Sequence, residues 1–374
     1  MIHFLVPSGF DWTVREYLTR WGLPVAGRFR IENYEAILEQ ERFERGTYVF
    51  AALCAISDAA RGKLGDLRSR LDAEGGFRFL NHPTGTLRRL GLLQELARLG
   101  WNDFRAVWAT GDLAGLRYPV FLRAERTHEG ALSPLLHSRR EVETEIGRAI
   151  VRGRNLDDLL VVEFCDTADD RGYFRKYSAY AVGDRILPRS VEYGRAWMLK
   201  HSRSDFTREV LEEERAYVLG NPHRDQLARI FAVARVEYGR IDYGVKNGRV
   251  QTWEINLHPT IGRAPGESRK SLVPAELLPF REETKAIFYR GFQDAWMAVD
   301  MPEAGPVSVP AAAARRNGSA IDSAARAPSR LPRFLRRSLR GLTRVSERLA
   351  APLLPAVARA AIRRHASRDP DRPR

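Results

Sequence analysis

Cysteine is scarce in this chain. Only Cys54 and Cys165 occur among 374 residues, far apart and with no CxxC or Cys/His spacing. A disulfide framework is therefore excluded and no zinc site is suggested, which fits a reducing cytoplasm. No stretch approaches 18 uninterrupted apolar residues, so a transmembrane helix is not expected. The opening Met-Ile-His-Phe-Leu-Val-Pro-Ser-Gly has neither a basic n-region nor a long apolar h-region. It reads as a first strand entering a glycine turn, not as a signal peptide. Internal repeats are missing, as is any Ser/His/Asp or Cys/His arrangement for nucleophilic catalysis.

What is there suits a globular protein of two or three domains: 44% hydrophobic and 10% aromatic residues in 42.5 kDa. The net charge of +14 looks at first like a nucleic-acid signal. Residues 301–374, however, hold 16 arginines against five acidic residues. They carry +11 of the total and leave the first 300 residues near neutrality, so the basic pI describes the tail and no nucleic-acid partner is expected for the core.

Strand-like and helix-like segments alternate through residues 1–100, which implies α/β layers. Strands are expected at Ile2–Val6, Tyr48–Ala52 and Phe77–Leu80, and helices near Trp12–Trp21, Gly62–Ala73 and Leu87–Leu99. The last has apolar residues at 90, 92, 93, 96 and 99 and closes on Gly100. Further strands are expected at Arg105–Ala109, Tyr118–Ala124 and Leu159–Phe164, with a helix at Arg139–Arg152 between the last two. A hairpin over Tyr173–Val191 turns at Gly183-Asp184. Helices near Arg208–Val218 and Arg224–Tyr238 lead to a second hairpin, Arg240–Leu257, turning at Asn247-Gly248. Pro306–Ser329 reads as a linker, and Leu331–Leu349 has leucines at helical spacing among arginines.

The second hairpin carries the most chemistry. It sets Ile-Asp-Tyr-Gly (241–244) beside Trp-Glu-Ile-Asn (253–256). Alternation puts Glu254 and Asn256 on one face, and strand pairing brings Asp242 next to them. Two carboxylates and an amide oxygen on one spot suit a hard cation such as Mg²⁺. The bland alternative is the solvated face of an ordinary hairpin.

Asp242, Gly244, Glu254, Ile255, Asn256 and Pro259 together resemble the metal-binding signature of the ATP-grasp superfamily. Over roughly residues 80–262, other segments resemble that family in order. Asn81-His82-Pro83 and the helix with Arg89 resemble the segment supplying a first cationic phosphate ligand. Tyr118–Arg123 resembles the strand carrying the second, and Leu160–Phe164 the hinge strand that meets adenine. Tyr173–Pro188 resembles the hairpin that follows it.

The resemblance implies an α/β ATP-grasp fold made of α+β subdomains, with a small α/β N-terminal domain at 1–84, the ATP-grasp core at 85–300, and a basic, partly helical tail at 301–374. It implies ATP and Mg²⁺ as cofactors, with metal ligands Asp242, Glu254 and Asn256. Nucleotide contacts fall on Arg89, Arg123, Glu163, Phe164, Asp166 and Lys176, with Arg123 and Lys176 in catalytic roles. Glu163 is otherwise a strand-end carboxylate in a salt bridge, and Lys176 a surface lysine. The implied reaction joins a small-molecule carboxylate to an amine, sometimes a thiol, through an acyl phosphate. The alternatives are an ATP-binding module without turnover and a phosphotransferase on the same fold.

Four departures from the pattern stand out. Both cationic positions are arginines where the family usually has lysine, and a fork does not replace a point charge in every geometry. The loop Arg126–Gly130 has a single glycine. Ser178 stands where an arginine is usual, and so does His258. His128 and His201 invite a catalytic reading, against that of histidines in turns or satisfied cores, and the group Arg195, Trp197, Lys200 and His201 suggests either an anion pocket for an acidic substrate or a solvated loop. The basic tail suits, in order, a solvated extension, an anionic membrane surface and nucleic acid. The expected location is cytoplasmic, peripheral to the membrane if the tail binds there.

Overall fold

A computed structural model describes residues 1–199, 204–262, 273–310 and 353–368. The chain divides into two compact units, Met1–Leu87 with Thr167–Ala327 and Arg88–Asp166 with Pro328–Arg374. The stretch expected as a single core at 85–300 thus contributes to both. Lys200, His201 and the arginine-rich helix expected at Leu331–Leu349 lie outside the described residues.

The first unit opens with a parallel sheet in the order β2-β1-β4-β5 (β1 Ile2–Val6, β2 Phe29–Asn33, β4 Thr47–Phe50, β5 Arg78–Leu80). Every residue of β1 and β4 is buried, as a parallel strand covered on both faces requires. Helices α1 (Trp12–Leu18), α2 (Tyr34–Glu39) and α3 (Asp58–Glu74) connect the strands. Ser57 caps α3 by accepting from the Ala60 amide.

An antiparallel sheet in the order β10-β9-β11-β12 follows (β9 Phe174–Val182, β10 Arg185–Gly194, β11 Tyr238–Lys246, β12 Arg249–Asn256). Its hairpins turn at the expected Gly183-Asp184 and Asn247-Gly248, the second with both φ angles positive, as a primed two-residue turn demands. Helices α6 (Arg208–Gly220) and α7 (Arg224–Ala234) precede β11.

Helix α8 (Leu278–Val299) was not foreseen and supplies much of the core. Phe292 meets Tyr180 of β9, and Trp296 meets Phe4 of β1 and Tyr238 of β11 edge-on or tilted. The Asn81 side chain donates to Phe50 O and Tyr238 O and accepts from the Glu237 and Tyr238 amides. That four-way amide fixes the end of β5 to the start of β11. It also explains why a non-glycine residue sits at φ 66° there. Residues 304–308, placed by the sequence between tail and linker, instead form β13 (Ala304–Ser308), antiparallel to β3 (Arg42–Arg45).

The second unit holds a three-stranded antiparallel sheet in the order β6-β8-β7 (β6 Ala106–Trp108, β7 Val120–Ala124, β8 Leu159–Glu163) and the helix α4 (Arg89–Arg98). Helix α5 (Arg139–Val151) and the C-terminal helix α9 (Leu354–Arg368) complete it. Val120, Leu122, Leu159 and Val161 pack with Val142, Ile146 and Ala358 in one core. Pro355 stands in the first turn of α9, where its missing N–H costs nothing.

Candidate functional site

Strand pairing gathers one set of polar side chains on a single face of the antiparallel sheet. Asp242 pairs with Glu254, Arg240 with Asn256, and Asp242 also with Ser178 of β9. Lys176 lies two residues before Ser178 and pairs with Glu192 of β10. Because side chains alternate, Lys176, Ser178, Arg240, Asp242, Glu254 and Asn256 share that face. The structure therefore brings together four residues expected at the site: Asp242, Glu254, Asn256 and Lys176.

A bulge at Trp253 makes this possible. Asp242 faces Glu254, but its neighbour Tyr243 faces Thr252, so one residue of β12 is extra. The indole it carries explains the glycine of the motif. A side chain at 244 would come within 2.8 Å of the Trp253 ring and 3.1 Å of Thr167. Behind the sheet, the Tyr243 hydroxyl meets the Tyr217 hydroxyl at 2.9 Å and His223 Nδ1 at 3.0 Å, holding the strand from its other face.

The electrostatics of the face are those of fixed cations among oxygen donors. Arg240 donates to both Asp242 oxygens, at 2.9 and 3.1 Å, and Asp242 is only 5% exposed. Lys176 Nζ lies 2.7 Å from Glu192. Burial pushes the Lys176 pKa down, but the charges of Asp242 and Glu192 outweigh it, and the ammonium is held above its ordinary value. Arg240 is raised in the same way: burial opposes its charge and Asp242 more than restores it. Asn256 Oδ1 accepts from the His258 amide at 2.8 Å, and His258 Nε2 donates to Phe10 O at 2.7 Å. His258 thus fastens the end of β12 to the loop after β1.

Two carboxylates and an amide oxygen form a donor set of the kind Mg²⁺ takes, with phosphate and water oxygens as its remaining ligands. Among the described residues, no group of three or more His, Cys, Asp or Glu side chains forms a denser metal cluster. Asp242, Glu254 and Asn256 are the residues that would hold the ion.

The remaining expected residues belong to the second unit. Glu163 ends β8, is 1% exposed, and accepts from the backbone and guanidinium of both Arg105 and Arg117 at 2.8–3.3 Å. Burial raises its pKa, the donors from Arg117 and Arg105 lower it, and the donors win. Its carboxylate is thus engaged as a strand-end salt bridge, one of the two readings open from sequence. Phe164 donates its amide to Pro119 O. Arg123 is buried on β7, between Leu122 and Ala124.

Arg89 stands in the first turn of α4 and is buried. It donates to Ala124 O, to Glu125 O at 2.8 Å and to Thr127 O at 3.0 Å. Glu125 was not singled out from sequence. It is buried and accepts from the Leu90 amide at 3.0 and 3.2 Å, capping α4 from another element. Burial drives its pKa up to about 7, against the pull of Arg89.

Arg240 and Glu192 were also missed. Their signal was present: stepping back two residues from Asp242 reaches Arg240, and pairing β9 with β10 across Gly183-Asp184 sets Glu192 against Lys176.

Comparison with known proteins gives likeness of structure only. No family model matches the chain, and no curated protein does. Among solved structures, the chain is similar to D-alanine–D-alanine ligase from Bacillus anthracis complexed with ATP (13% identity, TM-score 0.45, 80% of this chain and 96% of that one). It is also similar to a RimK domain ATP-grasp protein from Sphaerobacter thermophilus (13%, 0.39, 78% and 99%). A third is an L-amino acid ligase from Bacillus licheniformis (10%, 0.34, 68% and 66%).

Proposed function

We propose that the chain is an ATP- and Mg²⁺-dependent ligase that activates a carboxylate for attack by an amine. One observation carries the reading: Asp242, Glu254 and Asn256 converge on a sheet face that also presents the fixed cations Lys176 and Arg240. In the reaction, a substrate carboxylate oxygen takes the γ-phosphoryl group and ADP leaves. The amine then attacks the acyl carbon, phosphate departs, and the amine loses its proton. Mg²⁺ held by the three oxygen ligands would supply charge neutralisation at the phosphates. Lys176 and Arg240 add permanent positive charge beside them. Catalysis of this kind is positioning and electrostatics, and asks for no nucleophilic side chain.

The test is ADP release across a panel of amino acids, small acids and amines, with hydroxylamine added as a trap. Hydroxamate formation supports acyl phosphate chemistry. ADP release without hydroxamate indicates a phosphotransferase. Glu254→Gln removes one anionic ligand, and about a 10²-fold loss of Mg²⁺-dependent turnover is expected. Unchanged turnover in that variant rules out the metal assignment. A second reading, an ATP-binding module without turnover, draws support from Arg89, which is committed to backbone carbonyls. ATP binding without ADP release from any pair in the panel would favour it.

We propose further that the arginine-rich C-terminal segment rests on an anionic membrane surface.

A further inference from the structure

Strand β7 ends at Ala124, and the chain then enters the loop 125–131. The far side of this loop is zipped back onto β7 by the Arg123–Ala131 bridge and by the Leu132 amide on Leu122 O. Its near side is held from two directions. Asp158 accepts from the Arg126 amide at 3.0 Å through its side chain and from the Glu125 amide at 2.8 Å through its carbonyl. The first turn of α4 does the rest. Arg89 spends both hydrogens of Nη1 on Ala124 O and Glu125 O and one of Nη2 on Thr127 O. Glu125 returns its carboxylate to the Leu90 amide, where a helix start favours negative charge.

We infer that Arg89 and Glu125 form a clasp that fixes the start of loop 125–131 against helix α4, and that Arg89 is a positioning residue, not a phosphate ligand. The inference rests on the nucleotide reading above. A guanidinium that recognises phosphate offers two parallel N–H groups to its oxygens. In Arg89 Nη1 is fully spent, and Nη2 is turned to a third carbonyl. Arginine at this position is then explained by geometry: a planar fork serves three carbonyls, whereas an ammonium on a single stem does not.

The test is amide hydrogen exchange on the full chain without nucleotide, paired with ATP kinetics, for Arg89→Lys and Arg89→Met. Exchange across residues 125–131 is expected to rise at least tenfold in both variants, with the β-sheet of the second unit unchanged. The kinetic loss should fall on the KM for ATP more than on kcat, and lysine should not rescue it. Three results would overturn the clasp: wild-type loop exchange in Arg89→Lys, a loop difference seen only after ATP is added, or exchange raised evenly through the unit. The first two return Arg89 to the phosphates, and the third makes it an ordinary core residue. If the wild-type chain binds no ATP at all, the proposed function fails, while the exchange measurement still reports on the clasp.

Discussion

Arg240 and Asp242 share one buried ion pair, and its worth depends on both partners staying. Removing one charge leaves the other stranded at low exposure, which costs about 3–5 kcal/mol. Arg240→Met should therefore destabilise the first unit by about that much in urea unfolding. The double variant Arg240→Met/Asp242→Asn should cost clearly less than the sum of its singles. Additive losses would show that the pair is not coupled. Glu125 gives a pH signature instead. Its folded pKa is raised to about 7 from an ordinary 4.5. The folded chain thus holds a proton that the unfolded chain releases. Stability from this group is complete below pH 4.5, declines as pH rises, and is gone above 7. The linkage amounts to about 3 kcal/mol. Glu125→Gln mimics the protonated form and should flatten that slope. Unfolding midpoints at pH 5 and pH 8, compared between wild type and variant, decide it.

At the scale of elements, what the sequence made legible follows from local rules. Gly183-Asp184 and Asn247-Gly248 set both hairpins because Gly183, Asn247 and Gly248 tolerate the positive φ that these tight turns need. Period-two alternation then put Glu254 and Asn256 on one face. The bulge at Trp253 was hidden, since nothing local marks an extra residue in one strand. Helix α7 was expected to run to Tyr238 but stops at Ala234, because Arg235 adopts φ 54° and β11 claims Tyr238. Helix α8 was readable from Phe288, Phe292, Ala295, Trp296 and Val299. It was hidden by its flanks, being neither capped by a side chain nor acidic in its first turn. Helix α9 depends on a distant partner. Leu354 and Ala358 are fully buried, and Ile362 is partly so, against α5, where Gly147 leaves no room for a side chain beside Leu354 O. Deleting residues 353–374 should cost the second unit about 3 kcal/mol, from one leucine and part of an isoleucine returned to water. Gly147→Leu should reproduce much of that loss by pushing the helix away. Urea midpoints unchanged in both variants would show that the docking contributes nothing.

For the whole molecule, the issue is where the charge resides. Sixteen arginines fall after residue 300, while the preceding residues are close to neutral. No helix among the described residues is long and apolar enough to cross a membrane. Docking of α9 changes how the proposed membrane contact works. Its apolar stripe faces α5, with Arg359 paired to Glu143 and His365 to Asp157, so this helix has no apolar face left to insert. Attraction by α9 must then be electrostatic, about 1 kcal/mol for each basic residue near an anionic surface, and it must fade with salt. The full chain should co-sediment with phosphatidylserine vesicles at low ionic strength, release at about 0.5 M salt, and ignore neutral phosphatidylcholine vesicles. Deleting residues 311–352 removes ten of the arginines but leaves β13 and α9 in the chain. That variant should lose vesicle binding while keeping its ATP affinity. Vesicle binding that survives both high salt and the deletion would place the contact in the core instead, and the charge of the tail would then need another partner.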